Sequence, residues 1–247
     1  MSIKLYSFEL SHPSMAASKM LELKGLDFQT VTILPGTQRI YLRALGFRGG
    51  TVPALKLDGR RIQGSCQIAR ALEQLQRDPP LFPADPVARA HAEEAERWGE
   101  KELQDVPRLL IRWGLLGDMG LRRWLAGQSG MPLPGLAART LGPVARYYAH
   151  VIGADEEAAR RALRELPAML DRADELLAER TLTPAEPTAV TLQILSSIRA
   201  LDAFADLRAH LNGRGSTAAA HEVFPDYPGP VPAFIPATWL AELPVAA

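Results

Sequence analysis

Residues 3–33 read IKLYSFELSHPSMAASKMLELKGLDFQTVTI, and this stretch decides the fold of the first part of the chain. Its first residues alternate like a strand, and the β-branched run at 30–33 indicates a second strand. Between them Ser11 can cap a helix, Pro13 suits its first turn and Gly25 can end it. A strand, a helix and a strand in about 30 residues favour a parallel pair with a right-handed crossover.

The next segments complete a small α/β domain. Residues 38–45 indicate a second helix, and 52–57 with 61–63 indicate a hairpin that turns at Asp58-Gly59. Residues 65–75 then form an amphipathic helix. The predicted order is β-α-β-α-β-β-α.

A stretch rich in proline follows this domain, and the apolar spacing beyond it is helical. We therefore expect an α/β domain over 1–78, a linker over 79–86 and an all-helical domain over 87–247. Pro107 predicts a kink or break in the first helix, which we expect over 87–116.

Further helices are expected at 155–179, where Pro167 should bend the chain, and from Thr188 to Gly213. Two segments rich in glycine and proline resist assignment, Gly117–Gly135 and Gly213–Pro236. We expect the first to border a cleft and to be mobile because its glycines raise its conformational entropy. We expect the second to pack on the surface with its aromatic residues Phe224, Tyr227, Phe234 and Trp239.

Composition excludes several classes of partner. The 28 basic and 28 acidic residues balance, so the basic surface of a nucleic-acid-binding protein is absent. One cysteine cannot form an internal disulfide or supply the spacing of a structural zinc site, so we expect no metal and a reducing cytoplasm. We expect neither a secretion signal nor a membrane span. Arginine far outnumbers lysine and alanine is abundant, which suggests a bacterial source.

The first 86 residues resemble the glutathione transferase family. The motifs that carry the resemblance are Leu5-Tyr6, Ser11-His12-Pro13-Ser14, Lys24-Gly25-Leu26, Thr51-Val52-Pro53-Ala54-Leu55, Gly64-Ser65, Ile68 and Leu81-Phe82-Pro83-Ala84-Asp85-Pro86. The resemblance implies a thioredoxin-like domain that binds glutathione, an all-helical domain of the glutathione transferase type that shapes an electrophile pocket, and a homodimer.

Three residues are expected to hold the thiol peptide. The resemblance implies a cis bond before Pro53, which would let the backbone of Val52 pair with the cysteinyl part of the peptide; a trans proline at a strand edge is the alternative. Ser65 begins a helix, where a hydroxyl and free N–H groups suit the γ-glutamyl carboxylate. An ordinary helix cap would explain Ser65 equally.

Ser11 stands where several transferase classes have their catalytic serine. Its expected role is to donate a hydrogen bond to the thiolate, although a simple helix cap is the alternative. Tyr6 is the rival, because other classes use a tyrosine near the end of this strand.

The chain departs from the family at Gly64, where Glu or Gln commonly contacts the amino group of the ligand. The neighbouring Gln63 is expected to point to the other face of its strand. Arg39, Arg43 and Arg48 are candidates for the glycyl carboxylate.

Five further residues near the expected site are given no direct part in thiol activation. We expect His12 in an exposed loop and Cys66 in the core, because no second cysteine could resolve a disulfide. Trp98, Glu102 and Arg108 are candidates to line the electrophile pocket.

The leading hypothesis is an enzyme that activates glutathione, or a related small thiol, for attack on a small electrophile. The alternative is a non-catalytic protein of the same fold that binds a small molecule or a thiol. Gly64 and the absence of an obvious carboxylate-binding cation motivate the alternative.

Overall fold

The computed structural model describes residues 1–243, and its first part is an α/β domain. The elements follow the predicted order: β1 (Ile3–Ser7), α1 (His12–Leu23), β2 (Gln29–Thr32), α2 (Gln38–Ala44), β3 (Ala54–Leu57), β4 (Arg60–Gln63) and α3 (Ser65–Leu75). The strands form one sheet in the order β2-β1-β3-β4. Strand β1 pairs parallel with β2 and antiparallel with β3, so the predicted parallel pair is confirmed.

The remainder of the described chain is helical. Its helices are α4 (Pro86–Trp98), α5 (Asp105–Gly117), α6 (Met119–Gln128), α7 (Pro134–Ile152), α8 (Glu156–Ala178), α9 (Ala189–Asp202), α10 (Arg208–Leu211), α11 (Gly215–Val223) and α12 (Ala237–Leu240). A π-helical turn at Gly99–Leu103 joins α4 to α5. This α/β domain followed by helices is the predicted fold class, while the exact boundaries at 78 and 86 remain a proposal.

Local chemistry explains the position of α1 and of the hairpin. Ser11 caps α1, and Gly25 follows the helix at φ +62°, a conformation that glycine adopts without a Cβ penalty. The β3–β4 turn holds Asp58 at φ 44° and Gly59 at φ 88°. Two positive φ angles are what a two-residue hairpin turn of this kind requires.

The first long helix breaks earlier than its proline. The interruption lies at Gly99–Leu103, where the Gln104 N–H donates to the Gly99 carbonyl at 2.8 Å, an i to i+5 hydrogen bond. Pro107 lies in the first turn of α5, where its missing N–H leaves no hydrogen bond unmade. The proline is tolerated because a new helix starts two residues before it.

Most of Gly117–Gly135, which resisted assignment from the sequence, is α6, and its expected mobility stays a prediction. Asp118 caps α6, and its Oδ1 accepts a hydrogen bond from the Leu121 N–H at 2.8 Å. Leu121 and Leu125 are buried one turn apart. An acidic cap and an apolar spacing of four outweigh the entropic cost of the glycines.

The last long helix and the tail also differ from expectation. Helix α9 ends at Asp202, not near Gly213, because the backbone after it pairs with Val231. The Val231 N–H donates to the Ala203 carbonyl at 2.8 Å, and the Ala205 N–H donates to the Val231 carbonyl at 3.1 Å. The tail is more deeply anchored than expected: Phe224 and Trp239 are buried in the core, while Asp226 and Gly229 between them are exposed.

A buried lysine holds the segment between α3 and α4. Lys24 Nζ lies 2.8 Å from Glu73 Oε2 and donates to the carbonyls of Gln76 and Pro79, each at 2.6 Å. The Leu81 N–H also donates to Glu73 Oε2, and the Leu81 carbonyl accepts from the first residue of α9. The lysine thus fixes the passage of the chain from one domain to the other.

Candidate functional site

A cleft of about 450 Å³ lies between the two domains. The strand-domain wall comes from the N-terminus of α1, α2 and the loop before β3, and includes Ser11, His12, Arg39 and Val52. The helical wall comes mainly from α5, α6 and α7, with contributions from α9 and the tail. Its polar members are Asp105, Arg108, Arg112, Arg122, Tyr147, Tyr148 and Tyr227.

Ser11 places its hydroxyl at the cleft and at the N-terminus of α1. Its Oγ accepts hydrogen bonds from the Ser14 hydroxyl at 2.9 Å and from the Ser14 N–H at 3.4 Å. Within residues 1–243 its own proton has no acceptor. The hydroxyl can therefore donate to an anion in the cleft, where the helix dipole also favours negative charge.

Of the three residues expected to hold the peptide, one lines the cleft and two do not. Val52 lines the cleft, and its bond to Pro53 is cis, as expected. In the described part of the chain, neither the N–H nor the C=O of Val52 makes a hydrogen bond. Pro53 and Ser65 are buried and are not part of the cleft wall, although Ser65 is the first residue of α3.

Tyr6 is separated from the cleft. It is buried in a small cluster with Ile33, Leu42, Phe47 and Ala54, beneath α2. Its ring centroid lies 5.5 Å from that of Phe47 in an edge-on contact. Burial, with a smaller contribution from Tyr41, raises the pKa of its hydroxyl, which opposes formation of a phenolate.

His12 is not in an exposed loop, which corrects the expectation. It is the first residue of α1, is 5% exposed and contributes to the cleft wall. Burial, followed by the positive charge of Arg108, lowers the pKa of His12 well below its usual range. Its Nε2 is buried and has no hydrogen-bond partner among residues 1–243.

Cys66 is a buried free thiol, as expected. Burial and then the carboxylates of Glu96 and Glu100 raise the pKa of the Cys66 thiol. The thiolate is therefore disfavoured, which excludes Cys66 as a nucleophile.

The three arginines proposed for a carboxylate all line the cleft. Arg39 hydrogen-bonds the Tyr147 hydroxyl, while Arg43 and Arg48 are exposed beside it. The Gln63 side chain points toward the loop before β3 and holds it by two hydrogen bonds. Its Oε1 accepts from the Gly49 N–H at 2.6 Å, and its Nε2 donates to the Thr51 carbonyl at 3.2 Å.

Of the three candidates for an electrophile pocket, only Arg108 reaches the cleft wall. Trp98 is partly buried against the core, and Glu102 is exposed in the π-helical turn. The sequence analysis missed Arg112, Tyr147 and Tyr148. The spacing of four between Arg108 and Arg112 on one helix was the available signal.

The cleft is cationic and carries few acidic groups. Six of its lining residues are arginines, and Asp105 supplies a carboxylate. Among residues 1–243, no group of three or more His, Cys, Asp or Glu side chains is arranged to hold a metal ion. No described helix is both long and apolar enough to cross a membrane. The arrangement can bind an acidic small molecule and stabilise a thiolate beside Ser11.

Comparisons with known proteins agree with this geometry. Residues 5–80 match the family described as glutathione S-transferase, N-terminal domain. A probable maleylacetoacetate isomerase of Caenorhabditis elegans is 36% identical over 90 residues. That match spans 36% of this chain and 42% of the relative, so the chain matches less than half of that protein's length.

Solved structures share the overall fold. Beta-etherase LigF from Sphingobium superposes with a TM-score of 0.62 at 21% identity, covering 82% of this chain and 84% of that one. A glutathione S-transferase from Sinorhizobium meliloti gives a TM-score of 0.60 at 18% identity, covering 98% of this chain and 99% of that one.

The chain therefore has the two-domain glutathione transferase fold, with a thioredoxin-like domain followed by an all-helical one. More narrowly, the first of these domains is the part of the chain that matches the glutathione S-transferase N-terminal domain, over residues 5–80.

Proposed function

We propose that this protein activates glutathione, or a related small thiol, for nucleophilic attack on a small electrophile. The observation that carries the proposal is the Ser11 hydroxyl, which faces the cleft at the start of α1 with its proton uncommitted. A hydrogen bond to an ionised group is worth about 1.5 to 3 kcal/mol, which lowers a thiol pKa by about one to two. Because a free thiol has a pKa near 8.5, this shift brings the pKa to about 6.5 to 7.5 and so greatly raises the thiolate fraction at neutral pH.

The reaction then follows from a positioned thiolate. The thiol proton passes to solvent, and the sulfur lone pair forms a bond to the electrophilic carbon. In a substitution the leaving group departs with the electron pair of its own bond; in an addition to a double bond a proton from solvent completes the product. Ser11 acts as a hydrogen-bond donor throughout and forms no covalent bond.

Three parts of the α/β domain are assigned to the peptide part of the thiol. The free backbone groups of Val52 next to Pro53 suit antiparallel pairing with a cysteinyl residue. The glycyl carboxylate is assigned to Arg43 or Arg48, and the γ-glutamyl carboxylate to Ser65. For Ser65 this requires a route to the N-terminus of α3, because the residue is 5% exposed.

A non-catalytic binding protein is the second candidate, and Gly64 favours it. Gly64 has φ +85° and carries no side chain that could contact the ligand's amino group. Loss of one such contact weakens the binding of glutathione and leaves room for another thiol or another acidic ligand.

Retention on glutathione-agarose, combined with conjugation of 1-chloro-2,4-dinitrobenzene, tests the proposal. The enzyme should be retained and should release chloride only when thiol is present. Retention without turnover for any thiol in a panel would establish the binding protein instead. A thermal-shift panel of small thiols identifies the preferred one.

We further propose a homodimer in a bacterial cytoplasm. The family fold supports pairing of the α/β domain of one subunit with the helical domain of its partner, and a single buried cysteine suits a reducing compartment. Sedimentation at micromolar concentration should give twice the mass of one chain. A monomer under those conditions would contradict the dimer.

A further inference from the structure

Two guanidinium groups lie one turn apart on the part of α5 that faces the cleft. Arg108 and Arg112 both line it, and the thiol mechanism uses neither. Like charges at this spacing repel each other on a helix. Their position therefore requires an explanation beyond the stability of α5.

Arg112 differs from Arg108 in the groups that surround its guanidinium. It is half-buried, and its Nη1 donates to a neutral group, the Tyr148 carbonyl, at 3.2 Å. No carboxylate of the described residues forms an ion pair with it, whereas Arg108 pairs with Asp105 at 3.1 Å. Burial and then the charge of Arg108 lower the pKa of Arg112, although a guanidinium remains protonated near neutral pH.

Asp105 is the one carboxylate among the described residues that line the cleft, and it pairs with Arg108 at 3.1 Å. His12 faces Arg108 across the cleft, and its lowered pKa keeps the imidazole neutral at physiological pH. Arg122 differs from Arg112 because it caps the end of α5, with its Nε donating to the Leu115 carbonyl at 2.6 Å. Arg122 has a structural role, whereas Arg108 and Arg112 leave donors available to a ligand.

An unpaired cation in a partly buried site costs free energy that a bound anion can recover. The Tyr148 ring lies under the Arg112 guanidinium, 5.0 Å from its centre, and offers an apolar face next to the charge. Guanidinium groups favour carboxylates because their paired N–H groups match the two oxygens.

We propose that the electrophile carries a carboxylate, which binds between Arg108 and Arg112 while its apolar part packs against Tyr148. This inference rests on the proposed function for its reaction, but the binding it describes can be measured without turnover.

Two matched pairs of probes test the substrate class. 4-Chloro-3-nitrobenzoate and 4-chloro-3-nitrobenzamide are electrophiles of nearly equal size that differ in charge. Turnover with glutathione should give a kcat/KM for the acid about ten- to a hundredfold above that for the amide, after correction for their uncatalysed rates. Calorimetry with the unreactive 3-nitrobenzoate and 3-nitrobenzamide should show the same preference in binding.

Variants of Arg112 and Arg108, with one control, identify the residues responsible for the preference for the acid. Arg112→Gln should remove most of the preference for the acid, so the acid-to-amide ratio of kcat/KM and of affinity should fall toward one. Arg112→Lys should restore part of it through its charge. Arg146→Gln is the matched control, because Arg146 is exposed on α7 and does not line the cleft.

Equal binding of the acid and the amide by the wild type would overturn the proposal, whether or not either is turned over. A preference that survives both Arg112→Gln and Arg108→Gln would overturn the assignment to these residues. If the acid binds selectively but no thiol is transferred to any electrophile, the anion site stands and the proposed transferase function fails.

Discussion

The two walls of the cleft hold their polar groups through contacts of very different sequence range. On the strand-domain wall, Ser11 is held by Ser14, three residues away. On the helical wall, Arg112 depends on the Tyr148 carbonyl, 36 residues away, and Tyr147 reaches Arg39, 108 residues away. The proposed site of thiol activation therefore depends on one helix start, whereas the proposed electrophile site depends on how α5 packs against α7.

The largest expected effect comes from loosening the segment that joins the two domains. Lys24→Met removes a fully buried ammonium group that holds Glu73 and the carbonyls of Gln76 and Pro79, which leaves those acceptors without their donor. Breaking a buried ion pair costs about 3 to 5 kcal/mol, so the free energy of unfolding should fall by that amount. Urea denaturation followed by fluorescence measures it.

Lys19→Met is the control for this change. Lys19 forms an exposed pair with Glu22 on the same helix, and such pairs contribute only about 0 to 1 kcal/mol. Equal losses in the two variants would contradict the role of Lys24 in fixing the linker.

The next effect concerns the strand-domain wall alone. Ser11→Ala removes the donor to the thiolate, so turnover at neutral pH should fall about ten- to a hundredfold. The apparent pKa of the bound thiol, followed by thiolate absorbance, should rise by about one to two. Loss of the helix cap should cost only about 1 kcal/mol of stability.

Tyr6→Phe is the matched test of the rival residue. Because Tyr6 packs beneath α2 against Phe47, removing its hydroxyl should leave the thiol pKa unchanged. A shift in Tyr6→Phe without one in Ser11→Ala would transfer the activating role to Tyr6.

The range of contacts also explains what could be predicted from the sequence. The order β-α-β-α-β-β-α, the cap at Ser11 and the turn at Asp58-Gly59 follow from neighbouring residues, and the structure confirms them. Ser11 and Val52 were expected at the site because the resemblance to the glutathione transferase family implies it, and both line the cleft.

The helical wall was largely missed for the opposite reason. Arg112, Tyr147 and Tyr148 meet only because α5 and α7 pack together, and a residue pattern within either helix does not report that contact. The end of α9 was misplaced because Val231 stops it from a distant part of the chain. The burial of His12 was missed because its neighbours, Arg108 and the Gln104 backbone, lie on the helical domain.

His12 lies where the walls meet, and its burial gives a pH dependence. Its pKa is near 6.5 in the unfolded chain and lower in the folded protein, where burial and Arg108 oppose protonation. The unfolded state therefore binds the proton first, so this contribution to stability is complete above about pH 6.5 and is lost as the pH falls below it. The slope from His12 should reach about 1.4 kcal/mol per pH unit.

Urea unfolding at about pH 7.5 and about pH 5.5 measures this slope in the wild type and in His12→Gln. The variant should lose the contribution of His12. His91→Gln, at an exposed position of α4, should keep the wild-type slope. Identical slopes in the wild type and His12→Gln would show that His12 titrates alike in the folded and unfolded chains.

The smallest expected effect concerns Ser14, which donates a hydrogen bond to Ser11 and does not itself contact the thiolate in the proposed mechanism. The Ser14 hydroxyl donates to Ser11 Oγ, and this donation polarises the Ser11 O–H toward an acceptor in the cleft. Ser14→Ala removes that donor but keeps the Ser14 N–H, which still bonds Ser11 Oγ. A neutral hydrogen bond contributes about 0.5 to 1.5 kcal/mol, so turnover should fall about two- to tenfold, less than in Ser11→Ala. The variant that carries both Ser11→Ala and Ser14→Ala should be no slower than Ser11→Ala alone, because Ser14 affects the thiol only through its hydrogen bond to Ser11. A double variant whose losses multiply would mean that Ser14 contacts the thiol by itself, and that the strand-domain wall uses two donors.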